Sequence, residues 1–112
     1  MAQNFRRYTE NAVGATPVDI PDGSDFDTYD TIIGISVSNI LGATILVDVY
    51  INDSDGDNIY LVKSAPIPSG GALQVLDGGA KVVVQSGDRM YVVSDTASSA
   101  DVWVSVVDAI ST

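Results

Sequence analysis

The stretch ATILVDVYIND, residues 43–53, alternates apolar and polar side chains. Ile45, Val47, Val49 and Ile51 fall on one face, Asp48 and Tyr50 on the other. A period of two marks a half-buried β-strand, because successive side chains of an extended chain point to opposite sides. No window of ten or more residues carries the apolar period a helix needs. Other runs share the strand character. DTIIGISVSN (30–39) places Ile33, Ile35 and Val37 on one face, and ADVWVSVVDAI (100–110) places Val102, Val104 and Val106 together, with Trp103 opposite. NIYLVKSA (58–65), GALQVL (71–76), AKVVVQ (80–85) and RMYVVSD (89–95) read as further strands, and TPVDI (16–20) as a shorter one before them.

Breakers separate these runs. PIPSGGA (66–72) sets two prolines and two glycines where a strand must stop. LDGGAK (76–81) and SGDR (86–89) supply glycine where positive φ costs little, and DTASSAD (95–101) is a connection of small polar residues. Fourteen of the fifteen acidic residues are aspartate, a poor helix former that favours turns. Seven to eight strands at roughly ten-residue spacing predict an all-β fold, a single antiparallel β-sandwich or jelly-roll-like domain over residues 16–112. A chain of 112 residues is one domain by length and buries roughly two-thirds of its unfolded surface without a staple. It contains no cysteine, so it forms no disulfide and no thiolate metal site.

The charge is uneven. Arg6 and Arg7 lie near the start, so residues 10–112 hold only Lys63, Lys81 and Arg89 against all fifteen acids; three against fifteen leaves −12. Such a surface repels phosphate backbones, which argues against nucleic acid as a partner. No apolar run follows the arginines of MAQNFRRYTENAV, and none approaches the roughly 18–20 residues that span a bilayer, so neither a secretory signal nor a membrane partner is expected.

INDSDGDNIYL (51–61), with Asp53, Asp55 and Asp57 around Gly56, looks most like a chemical site. A calcium loop of the EF-hand kind with glycine at position 6 would need oxygen ligands at positions 1 and 12, where this chain has Ile51 and Val62. A type I′ hairpin centred on Asp55-Gly56 fits better. It sets Asn52 opposite Ile59, Ile51 opposite Tyr60 and Val49 opposite Val62. The second acidic run, DIPDGSDFDTYD (19–30), carries Asp19, Asp22, Asp25, Asp27 and Asp30 and reads as a solvated loop anchored by Phe26 and Tyr29 rather than a cation site. Neither metal nor cofactor is expected. Catalysis is not expected either: histidine and cysteine are absent, Glu10 is the only glutamate, and a serine or threonine nucleophile would lack an imidazole base.

What remains is surface for contact. If Val102, Val104 and Val106 face the core, Trp103 points outward; Tyr50 and Leu61 share the face opposite to Ile51 and Tyr60. Outward aromatics are enriched at interface centres. Residues 1–15 show no strand period and reverse the sign of the body, so they read as an extended N-terminal arm. Phe5, Arg6, Arg7 and Tyr8 in succession give that arm both charge and apolar anchors for a neighbouring acidic subunit.

The opening MAQNFRRYT, the centre IYLVKSAPIPSGGALQVLDGGAKVVVQSGDRMYV and the close SDTASSADVWVSVVDAI together resemble small virion structural proteins of tailed bacteriophages, particularly marine and cyanobacterial ones. The resemblance covers nearly the whole chain but lies in punctuation and valine-rich strands, not in a motif of fixed chemistry. It implies a β-sandwich-like protein without catalytic residues, located in the virion after assembly in the host cytoplasm. Its partners would be other virion proteins and copies of itself, in a trimer or larger ring or only on the particle. A capsid decoration (cement) protein is the leading expectation, with a neck, tail or baseplate component as the alternative. From another class comes a carbohydrate-binding module of a phage fibre, with Trp103, Tyr50 or Tyr91 as the stacking platform.

Overall fold

The computed structural model describes residues 2–20, 30–53, 55–76, 82–84 and 87–110. Nine strands follow one another: β1 (Ala2–Val13), β2 (Val18–Ile20), β3 (Asp30–Asn39), β4 (Ile45–Asn52), β5 (Asn58–Ile67), β6 (Ala72–Leu76), β7 (Val82–Val83), β8 (Arg89–Ser94) and β9 (Ala100–Ile110). There is no helix among the described residues. One sheet runs β1-β9-β3-β6 with β7 also on β3; the other runs β2-β8-β4-β5, and every pairing is antiparallel. The two pack as the expected sandwich, with valine and isoleucine from both inner faces buried between them.

The alternation in β4 and β9 is realised as read. Ile45, Val47, Val49 and Ile51 are buried, as are Val102, Val104 and Val106. Each such side chain is worth roughly 1.5–3 kcal/mol relative to exposure. In β8, Met90 and Val92 point inward and Arg89 and Tyr91 outward. Polar anchors pin the sandwich ends. Asn39 is buried and donates from Nδ2 to the carbonyls of Ala43 (2.7 Å) and Ile67 (2.9 Å), while its Oδ1 accepts from the Leu41 N–H (2.8 Å). The buried Ser99 hydroxyl donates to the Thr96 carbonyl at 2.7 Å.

Four expectations need correction, each for a local reason. First, the backbone of residues 2–13 is not an arm outside the sandwich. It is β1, paired with β9 from Ala2↔Ile110 to Val13↔Ala100, so of the expected arm, residues 1–15, the stretch 2–13 belongs to the sandwich. Its period was hidden because AQNFRRYTE (2–10) has few apolar residues to alternate, and because a bulge between Glu10 and Val13, where Ala12 takes φ 53°, then shifts the phase. The bulge lets Tyr8 and Val13 both pack against the core although their numbers differ in parity.

Second, β3 carries a register shift between Ile32 and Gly34. Ile32, Ile35 and Val37 are therefore fully buried, while Ile33 is only partly so. Third, β5 continues through Pro66 to Ile67. Proline is tolerated there because β5 is a sheet edge and its missing N–H has no ladder partner to lose.

Fourth, the 51–61 hairpin is real but its turn is longer by one residue. The Asp53 N–H donates to the Asp57 carbonyl and the Gly56 N–H to the Asp53 carbonyl, both at 2.9 Å, and Gly56 takes φ 91°. This is the three-residue loop with glycine in the left-handed region. It pairs Asn52 with Asn58, Ile51 with Ile59 and Tyr50 with Tyr60. A slip of one position moves a side chain to the other face, so Tyr60 joins Tyr50 outside rather than Ile51 inside. A further register shift restores the expected pairing of Val49 with Val62.

Candidate functional site

Two outer faces carry the aromatic residues. On the β2-β8-β4-β5 sheet a single cross-strand row runs Asp19, Tyr91, Tyr50, Tyr60. The Tyr50 ring lies 5.3 Å from Tyr91, stacked at 22°, and 4.9 Å from Tyr60, tilted at 41°. Lys63 Nζ sits 4.4 Å from the Tyr60 ring centroid. Asn52 and Asn58 flank the row with a 2.8 Å side-chain hydrogen bond, and Arg89 Nη1 meets Asp19 Oδ2 at 3.2 Å. Burial, then the Tyr60, Tyr91 and Asp48 charges, push the Tyr50 phenol above its ordinary pKa. Such a ladder binds three strands through their side chains.

On the other sheet Trp103 stands 51% exposed at the centre of a polar surface, where its register neighbours are Thr9 on β1 and Ser36 on β3. The Arg7 guanidinium lies 5.3 Å from the Trp103 ring centroid. On the opposite side, toward Asp101, a hollow of about 440 Å³ opens between Trp103 and the residues Thr9, Glu10, Asn11, Ser36 and Ser38. The Asp101 Oδ1 accepts the Ala12 N–H at 3.0 Å, fixing the bulge that forms the rim.

The residues singled out from the sequence are thus divided. Arg7 and Trp103 are in contact, Tyr8 turns inward against the core, and Tyr50 belongs to the opposite sheet. Phe5 and Arg6 pair through the backbone with Val107 and Val106, and their side chains lie outside the described residues. Of the acidic run, residues 21–29 also lie outside them. In the hairpin, Asp53 Oδ1 accepts the N–H groups of Asp55 and Asp57, each at 3.0 Å. This carboxylate therefore serves the turn. Tyr60 was missed because its face depended on loop length. The polar rim of the hollow was missed because it converges from three strands far apart in sequence.

The sandwich is similar in fold to a solved structure described as "Bacillus endospore appendages form a novel family of disulfide-linked pili". The TM-score is 0.56 at 14% identity, over 98% of this chain and 88% of that one. A weaker likeness, TM-score 0.44 at 11% identity, is to a structure of infectious bursal disease virus Gx strain; it covers 94% of this chain but 29% of that one. No protein-family model matches the sequence, and no curated protein does. At 14% identity the likeness to the appendage structure is one of fold alone.

Proposed function

We propose that the protein is a non-enzymatic structural protein of a bacteriophage virion, a capsid decoration or cement protein that stabilises the particle by self-association and by contacts along β1. The observation that carries this reading is the inequality of the sheet edges. β5 is guarded by register shifts, by Ser64 at φ 53°, by Lys63 and by Pro66; β2 is three residues long, and the edge beside β3 is split between β6 and the two-residue β7. β1 has twelve residues and contains neither proline nor glycine. Sheet edges left this long pair with another chain unless something covers them. β1 also bears Arg6 and Arg7 on a chain of net charge −10, so its edge attracts an acidic neighbour, including another copy.

The spore-appendage likeness is compatible with assembly as the general mode. These 112 residues hold no cysteine, so no disulfide would link them to a neighbour.

Co-sedimentation with particles lacking the protein tests the reading. Arg6→Glu with Arg7→Glu weakens attachment while the strand signal in circular dichroism stays, and raised salt reproduces part of the loss. Attachment unchanged by both the double variant and salt refutes it. Counting copies in purified particles separates a capsid-wide coat from a neck, tail or baseplate ring.

A further inference from the structure

We propose that the hollow beside Trp103 binds a neutral polyhydroxylated ligand, a sugar ring of a glycan whose C–H face lies on the indole. The site lies on the face of the sheet, with Thr9 and Asn11 of β1 in its wall, and the inference does not rest on that reading.

Four exposed or half-buried aromatic side chains are candidates for sugar stacking, and the geometry separates them. Tyr50 has a ring neighbour on either side, Tyr91 at 5.3 Å and Tyr60 at 4.9 Å, so neither of its faces is open. Tyr91 is stacked on Tyr50, and the Tyr60 ring is taken up by Tyr50 and by Lys63 at 4.4 Å. Trp103 differs. Arg7 pairs in register with Ser105 and lies over the indole from that side, whereas the hollow opens on the Asp101 side. An exposed indole next to a concavity is the arrangement that lets an apolar ring face leave water.

Size and polarity then define the ligand. The hollow, about 440 Å³, lies within the roughly 300–1,000 Å³ of small-molecule sites. By register, Asp101, Thr9, Asn11, Ser36 and Ser38 share the Trp103 face, so a carboxylate, an amide and three hydroxyls edge the hollow, the Ser36 hydroxyl accepting from Gln74 Nε2 at 3.1 Å. Carboxylates accept, amides do both and hydroxyls do either, so the rim suits a ligand studded with hydroxyls that must donate and accept.

Charge excludes the other classes. An anion would enter a chain of net charge −10 beside the Asp101 carboxylate. A cation would meet the guanidinium of Arg7, already over the indole, and an Asp101 carboxylate already accepting a backbone N–H. A neutral ligand meets neither obstacle.

Trp103 is the only tryptophan in the chain, so its emission reports the hollow directly. The full chain is titrated with cellohexaose, maltohexaose and chitin hexasaccharide, and screened on an array of neutral glycans. The expected result is a saturable change in emission with at least one of them, insensitive to added salt. Calorimetry with the same saccharide on Trp103→Ala, its fold checked by circular dichroism, shows a loss of about tenfold or more. Ser38→Leu, which fills the hollow and leaves the indole in place, loses binding as well; Tyr60→Ala retains it. The proposal is overturned if no neutral glycan binds, if Trp103→Ala and Ser38→Leu bind as the parent does, or if an oligolysine peptide or heparin saturates the emission change in a salt-dependent way instead.

Discussion

Tyr50 on β4 stands directly opposite Tyr60 on β5, their ring centroids 4.9 Å apart, and the loop at the end of the hairpin puts them there. Had the turn been one residue shorter, Tyr60 would face the core. The loop is held by Gly56 at φ 91° and by the Asp53 carboxylate. Gly56→Val therefore lowers stability by about 1–3 kcal/mol, since a β-branched side chain is strained at positive φ. Urea unfolding at neutral pH measures it.

The same loop separates a turn from a cation site. Asp53→Asn keeps the oxygen acceptor and changes stability by less than about 0.5 kcal/mol, whereas Asp53→Ala leaves the Asp55 and Asp57 N–H groups unmet and costs about 1 kcal/mol. Calcium alters neither result. A calcium-dependent rise in melting temperature that vanishes in Asp53→Asn contradicts the turn.

Because β1 is built into the sandwich, removing residues 1–9 strips Tyr8 from the core and exposes β9 as a new edge. The truncated chain unfolds at lower urea and aggregates on heating. A truncated form as stable as the parent shows that β1 adds nothing to the fold.

Asn39 satisfies two carbonyls and one N–H at the end of the sandwich. Asn39→Ala leaves the Ile67 carbonyl without that donor in a buried setting and costs about 1–3 kcal/mol. Asn39→Asp restores the acceptor but not the donor, and recovers little of the loss. Denaturant midpoints of the three proteins decide this.

The Tyr50 phenol is held above its ordinary pKa, so the folded chain keeps that proton more tightly than the unfolded chain does. Stability from this source is complete below the unfolded value of about 10 and is lost as pH rises through the folded value. Tyr50→Phe removes that share of the alkaline decline. Unfolding midpoints of both proteins between about pH 8 and 11 reveal the difference.

Most of the sandwich was legible wherever the chain alternates without interruption, as in β4 and β9. What escaped lies at irregularities that shift phase by one residue. In β1 the stretch AQNFRRYTE had few apolar residues to alternate before the Ala12 bulge shifted the phase, the shift between Ile32 and Gly34 exchanged Ile32 for Ile33 in the core, and the extra loop residue moved Tyr60 outward. A period of two has no tolerance for an inserted residue. Trp103 was placed correctly because β9 runs true through it. Its polar rim could not be foreseen, because Thr9, Ser36 and Asp101 meet only once β1, β9 and β3 are neighbours.

The unequal sheet edges bear on how an assembly of this protein stops. A molecule with two complementary open edges exposes a fresh acceptor with each addition and grows without limit. Among the described residues only β1 is both long and unguarded, so a partner strand laid along it consumes the acceptor and creates none. If the partner is a second β1, the two are related by a two-fold axis and the pair is closed. Built this way, a protein can be present at high local density, saturate the sites offered to it, and then cease to accumulate.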